Sequence, residues 1–186
     1  MMKTIKLFFL IITTIVASCT HHTQTIHREN GWYHYENDSL SLEPIVTVKE
    51  FNSLKLDSDI NGTYVILGQI SKHKTEKWSD ETEKSVGKQI AFVLNDSIIT
   101  APQVNDRIES GTFLISSVND KDLPLLYKQL VKEKSDSIEA LFKDWEKDSL
   151  YYTLDQRQKD SITVSLDYIE AKDWLNLTRK EFHNGK

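Results

Sequence analysis

Between Gln89 and Thr100 the chain reads QIAFVL, then Asn95-Asp96, then SIIT, and no other feature constrains the fold as much. Two aliphatic, β-branched runs separated by two residues that tolerate left-handed backbone return on each other as an antiparallel hairpin. Other strands are marked in the same way. Ile45 to Val48 is β-branched, with a helical turn possible over Val48 to Asn52 before Leu54 to Leu56. Trp32, Tyr33 and Tyr35, then Leu40 and Leu42, suggest an extended stretch ending at Pro44. Asn61-Gly62 signals a turn, and Thr63 to Ile70 alternates so little that a strand covered on both faces is expected.

Two helices complete the pattern. Over Lys74 to Val86, Trp78, Thr82 and Val86 recur every fourth residue as a narrow apolar stripe, with Gly87 as the stop. Asp120 or Asp122 caps a second helix through Val131, whose inner face carries Leu123, Leu126, Tyr127, Leu130 and Val131. Pro124 falls in its first turn, where a missing N–H costs nothing. Ala101-Pro102 ends the strand before it, and Thr112 to Ser117 forms another after Gly111. The order of elements is that of an α+β fold, a mainly antiparallel sheet with two helices packed on one face.

The first residues carry an address. Lys3 and Lys6 precede an apolar run from Leu7 to Val16, which matches a signal peptide and is too short to span a bilayer. Val16, Ala17 and Ser18 before Cys19 match the lipobox of bacterial lipoproteins, so cleavage after residue 18 and acylation of Cys19 are expected. Two or three acyl chains, at about 0.8 kcal/mol per buried methylene, would hold the protein on a membrane. Cys19 is the single cysteine, so no internal disulfide is possible.

The expected organisation is a signal peptide over 1–18, a flexible tether over 19–30, an α+β domain over 31–133 and a helix-leaning extension over 134–186. In the extension Ile138, Leu141, Phe142 and Trp145 have helical spacing and are expected to pack back on the domain. Ile162, Leu166, Ile169 and Leu177 continue the pattern weakly with Trp174, while Thr163 to Ser165 favour a strand. The tether holds His21, His22 and His27 without a carboxylate pattern, so neither metal nor cofactor is expected. Loss of Lys3 and Lys6 moves the formal charge from -5 to -7 and leaves no basic cluster, which argues against nucleic acid as a partner.

One further group of residues carries a resemblance. Gly87-Lys88-Gln89-Ile90-Ala91-Phe92-Val93-Leu94-Asn95-Asp96, then Ile98, Ile99, Ala101-Pro102, Val104, Ile108, Gly111 and Ile115, resembles the signature stretch of the periplasmic head subdomain of the SecD and SecDF protein-export factors. Glu43 to Thr47 and the Trp78, Thr82, Gly87 helix extend the likeness over about residues 43–131. Gly87, Ala91, Ala101, Pro102 and Gly111 are structural positions in this motif. The resemblance implies a head-like module that holds an emerging polypeptide, and the chain has no segment left after cleavage to couple proton flow.

Asp-Ser followed by Ile or Leu occurs five times, placing Ser39, Ser97, Ser137, Ser149 and Ser161 in one context. Capping and turn formation explain such a pattern, and O-glycosylation is the sharper alternative. His34, His73, Asp96 and Ser97 are the candidate catalytic groups, but none falls in a nucleophile-elbow, zinc or phosphate-loop spacing, so no catalysis is expected. The functional classes left open are a binding module for unfolded chains or export components, a structural subunit of an envelope complex, and an enzyme. No acidic pair follows Cys19, which favours a periplasm-facing place on the outer membrane over surface display.

Overall fold

The computed structural model of the protein describes residues 27–147 and 170–175. Five strands form one antiparallel sheet. β1 (Gly31–Glu36) pairs on one side with β6 (Gln89–Leu94) and on the other with both β2 (Ser39–Leu40) and β3 (Val46–Thr47), while β7 (Ser97–Thr100) pairs with β6. A second antiparallel sheet has the order β4 (Phe51–Ser58), β5 (Tyr64–Ile70), β8 (Thr112–Ile115). The helices are α1 (Thr75–Lys84) and α2 (Leu123–Lys147). The α+β class is the expected one, with its strands divided between two sheets.

Turn chemistry sets the pairings. Asn95 and Asp96 have φ of 50° and 61°, the left-handed pair of a two-residue hairpin turn that suits the strand twist. Asn37 and Asp38 repeat that geometry at 51° and 57°, so the first extended stretch is a β1–β2 hairpin rather than one run to Pro44. Asp59 closes the β4–β5 loop, its carboxylate accepting from the N–H groups of Asn61 and Thr63 at 2.8 and 2.9 Å.

The core lies between the sheets and under the helices. Trp32 is its hub, with ring centroids 5.3 Å from Phe92, 5.8 Å from Phe113 and 5.8 Å from Trp78 of α1. Such pairs add about 0.5–1.5 kcal/mol each beyond area burial. Leu123, Leu126 and Leu130 of α2 join the same cluster, as the apolar spacing predicts.

Several expectations need correction. β5 is not covered on both faces: Ile66, Gly68 and Ile70 are buried, whereas Leu67 and Gln69 face solvent. The continuously buried strand is β6, buried from Ile90 to Leu94 between β1 and β7 of the larger sheet. Val86 is exposed; α1 ends at Lys84, and Val86 instead forms a parallel bridge to Val104.

The second helix does not stop at Val131. It runs on to Lys147, so the boundary expected at residue 134 falls inside it. Val131 and Ile138 bury against Ala171 and Trp174 of the helical stretch at 170–175, with Leu54 packed alongside. The Trp174 indole N–H donates to Ser135 Oγ at 3.1 Å. Leu141 is partly exposed, and the side chains of Phe142 and Trp145 lie outside the described part, as do residues 163–165.

Candidate functional site

Three places in the fold bring polar chemistry together. The first joins the N-terminal end of the described chain to the β6–β7 turn. Asp96 accepts from the Arg28 N–H at 2.8 Å and meets His27 Nδ1 at 2.7 Å, and these partners hold its carboxyl below the usual carboxylate range. Asn30 bridges outward, its amide donating to Glu133 of α2 at 2.6 Å and its carbonyl accepting from the Asn95 N–H at 2.7 Å. Glu29 pairs with Lys49 at 2.5 Å, and its backbone carbonyl accepts from the Tyr33 hydroxyl. Residues 27–30, expected to be flexible tether, are therefore clamped to the domain.

The second place looks catalytic and is not built to be. His34 Nε2 lies 2.8 Å from the Glu81 carboxylate and Nδ1 lies 3.0 Å from Ser85 Oγ, an acid–imidazole–hydroxyl line. Ser85 is only 1% exposed, and its hydroxyl donates to the Glu81 carbonyl at 2.7 Å. A nucleophile needs access to a substrate carbon, and this one has none. Lys84 and then His34 hold the Glu81 carboxyl low, so the group works as a lock between β1 and the end of α1. His73 is apart from it, on the turn before α1.

The third place is a cavity of about 300 Å³ at the start of β4, where Phe51, Ile138 and Ala171 give it an apolar lining and Lys49, Lys134 and Glu170 a charged one. Among the described residues no group of three or more His, Cys, Asp or Glu could hold a metal ion.

The motif residues fall at turns and along β6. Gly87 and Gly111 have φ of 80° and 71°, where a Cβ would be strained, and at Gly111 it would also sit 3.0 Å from Thr75 Oγ1. Ala91 is fully buried in β6. The carbonyls of Ala101 and Pro102 accept from the Gln89 amide at 2.8 Å and the Ile90 N–H at 3.2 Å, so this dipeptide lies along β6 after β7 ends. Thr82 Oγ1 accepts the Ile108 N–H at 3.0 Å and Arg107 Nε donates to Ser79 Oγ at 2.7 Å, which ties the loop before β8 onto α1.

The Asp-Ser positions separate. Ser39 and Ser97 are exposed at the exits of the two Asn-Asp turns. Ser137 is half-buried in the middle of α2, its hydroxyl donating to the Lys134 carbonyl at 2.7 Å, and Asp136 there pairs with Lys132 instead of capping a helix. Ser149, Ser161, Cys19 and the lipobox residues Val16, Ala17 and Ser18 lie outside the described residues, as do His21 and His22. Sequence reasoning missed Asn30 and Glu133, and nothing in their local pattern marks them. It also missed the Asn37-Asp38 turn, which the repeated Asn-Asp-Ser signalled.

Two antiparallel sheets with glycines and an Ala-Pro step at these positions define a small α+β module. The chain belongs to the family described as the SecDF P1 head subdomain, which matches residues 24–123. Protein translocase subunit SecD of Acidaminococcus fermentans is 32% identical over 76 residues, covering 41% of this chain and 18% of that protein. Protein translocase subunit SecD of Thermobaculum terrenum is 28% identical over 87 residues, covering 46% and 17%. The chain thus spans less than a fifth of the length of these curated relatives. Two solved structures are also similar. One, of a membrane component SecDF that enhances protein export, has 22% identity, a TM-score of 0.40 and coverage of 44% of this chain and 36% of that one. The other, SecDF in its super-membrane-facing form, has 20% identity, a TM-score of 0.42 and coverage of 48% and 12%. No helix among the described residues is long and apolar enough to cross a membrane.

Proposed function

We propose that this chain is a lipid-anchored envelope protein that presents a SecD-type head to polypeptide chains in transit or to export components, without catalysis. The observation that carries the reading is the family match over residues 24–123, which begins just after the lipobox and takes in both sheets. The head's relatives are named as translocase subunits. The clamp at residue 27 lies eight positions beyond Cys19, a reach of at most about 28 Å, so the head would stand close to the bilayer on the side of the β6–β7 turn. Export and acylation are expected to place it on the periplasmic side of the outer membrane.

Radiolabelled palmitate should enter the wild-type protein and not Cys19→Ala, and photo-cross-linking from Leu67 in living cells should capture secreted chains or export components. A mature protein that retains residues 1–18, or one that captures neither class, removes the reading. The alternative role as a structural subunit held through the extension has less support, because Ile138 and Trp174 are already buried within this chain. O-glycosylation at Asp-Ser-aliphatic sites is best accommodated at the exposed Ser39 and Ser97. The intact mass of the native, delipidated protein tests it, and a mass with no added sugar ends it.

A further inference from the structure

We propose that the outer edge of β8 is the place where an extended polypeptide docks, adding a fourth strand to the three-stranded sheet. The inference rests on the polypeptide-binding reading above and adds a location and a mode to it.

β8 ends its sheet and pairs with β5 alone. The Ile70 N–H donates to the Gly111 carbonyl at 2.8 Å, and Phe113 and Ile115 stand opposite Gly68 and Ile66. Residues 111, 113 and 115 therefore exchange bonds with β5, and the intervening Thr112 and Leu114 turn their N–H and C=O groups away from it. Ser110 Oγ accepts the Thr112 N–H at 3.3 Å. Among the described residues the Leu114 N–H and C=O have no partner, so a donor and an acceptor face outward together.

Open strand edges are normally guarded by charge, proline or a bulge. β4, at the other edge of this sheet, has a register shift between Phe51 and Ser53 and carries Lys55 and Asp57. β7 has a register shift opposite it in β6 and runs into Ala101-Pro102. β8 is Thr-Phe-Leu-Ile, with no charge, proline or bulge, and only its four-residue length guards it. Beside its edge, the outward side chain of Leu114 is 46% exposed and its cross-strand neighbour Leu67 is 39% exposed, an apolar strip flush with the open backbone.

Backbone donors and acceptors at the edge demand an extended chain, and the strip rewards an apolar side chain at every second position of it. Recognition through backbone groups tolerates many sequences, as capture of varied clients requires. A second copy of this chain fits less well. Four residues extend about 13 Å, and edge pairing of that length falls well short of the roughly 1,000 Å² that a stable specific interface needs.

The test uses the full-length chain in mild detergent with fluorescein-labelled, reduced and carboxymethylated α-lactalbumin, a polypeptide that cannot refold. Binding is read by fluorescence anisotropy, and exchange of the Leu114 amide by hydrogen–deuterium exchange. The probe should slow exchange at Leu114 in the wild type. L114P removes the outward N–H without touching the β5 ladder, L114K adds a guarding charge, and each should weaken binding at least fivefold with an unchanged circular dichroism spectrum. If L114P does not fold, L114K and the exchange measurement decide. Wild-type affinity in both variants, with unaltered exchange at Leu114, overturns the edge and leaves polypeptide binding standing elsewhere. No binding by the wild type overturns both. Dimerisation by sedimentation that L114K abolishes makes a second copy the occupant and also overturns the proposal.

Discussion

The two sheets are built from similar strands and end up with opposite characters. In the five-stranded sheet the central strand β6 is buried from Ile90 to Leu94, and both hairpins close through Asn-Asp turns. Each turn is held by a neighbour: the Tyr35 hydroxyl donates to Asp38 at 3.1 Å, and Asp96 takes the Arg28 N–H. The three-stranded sheet alternates along β5, with α2 packed over one face and the other open at Leu67 and Leu114. One sheet is a closed scaffold and the other keeps a face and an edge available. The proposed binding role fits that division, since binding elements are drawn from the less protected part of a structure.

The comparison breaks first at Trp32, the 1%-exposed residue of the scaffold sheet that also touches Phe113 of the open one. Trp32→Ala removes its contacts with Trp78, Phe92 and Phe113 at once and leaves a large cavity. A loss of about 3–5 kcal/mol in urea unfolding is expected. A loss below about 1.5 kcal/mol would mean that the sheets cohere without this residue.

A smaller effect separates the two faces of β5. A Cβ on Gly68 would lie 2.1 Å from Phe113 Cζ, and that ring is held by Phe51 at 4.5 Å and by Trp32. Gly68→Ala should cost about 1–3 kcal/mol through overpacking. Leu67→Ala, one residue away on the open face, should cost less than about 1 kcal/mol. Equal shifts of the thermal midpoint in the two variants would show that the open face is not open.

Residues that act through local chemistry were legible in the sequence. Asn95-Asp96 and Asn61-Gly62 announced their hairpins because left-handed backbone is a property of the residues themselves. The inner face of α2 was legible from the spacing of Leu123, Leu126 and Leu130. Tertiary burial was not. Thr63 to Ile70 and Gln89 to Leu94 are both nearly continuous apolar runs, and only what the tertiary structure packs over each face decides which is covered on both. The clamp of Asn30 on Asn95 and Glu133 joins residues 65 and 103 positions apart, and no local pattern encodes such a meeting. The same limit hid the lock of His34 on Glu81 and Ser85.

The smallest effect is at the seam between the sheets. Glu50 follows β3 of the scaffold and precedes β4 of the open sheet; its carboxylate accepts from the Thr47 N–H at 2.8 Å and pairs with Lys74 at 2.8 Å, beyond the end of β5. Burial pushes its carboxyl upward, but Lys74 and the Thr47 N–H outweigh that and hold it below the ordinary value. A carboxyl depressed by folding contributes stability above its unfolded value, about pH 4.3, and that contribution is lost as the pH falls through the folded value. Glu50→Gln can still accept from Thr47 and loses only the charge. The variant should be about 1 kcal/mol less stable than the wild type at pH 7 in urea unfolding followed by tryptophan fluorescence. The gap should narrow as the pH falls from about 4.3 and close below the folded value, where the wild-type carboxylate is itself protonated. A gap that persists unchanged to about pH 3 would mean that packing, not the ion pair, joins the closed sheet to the open one.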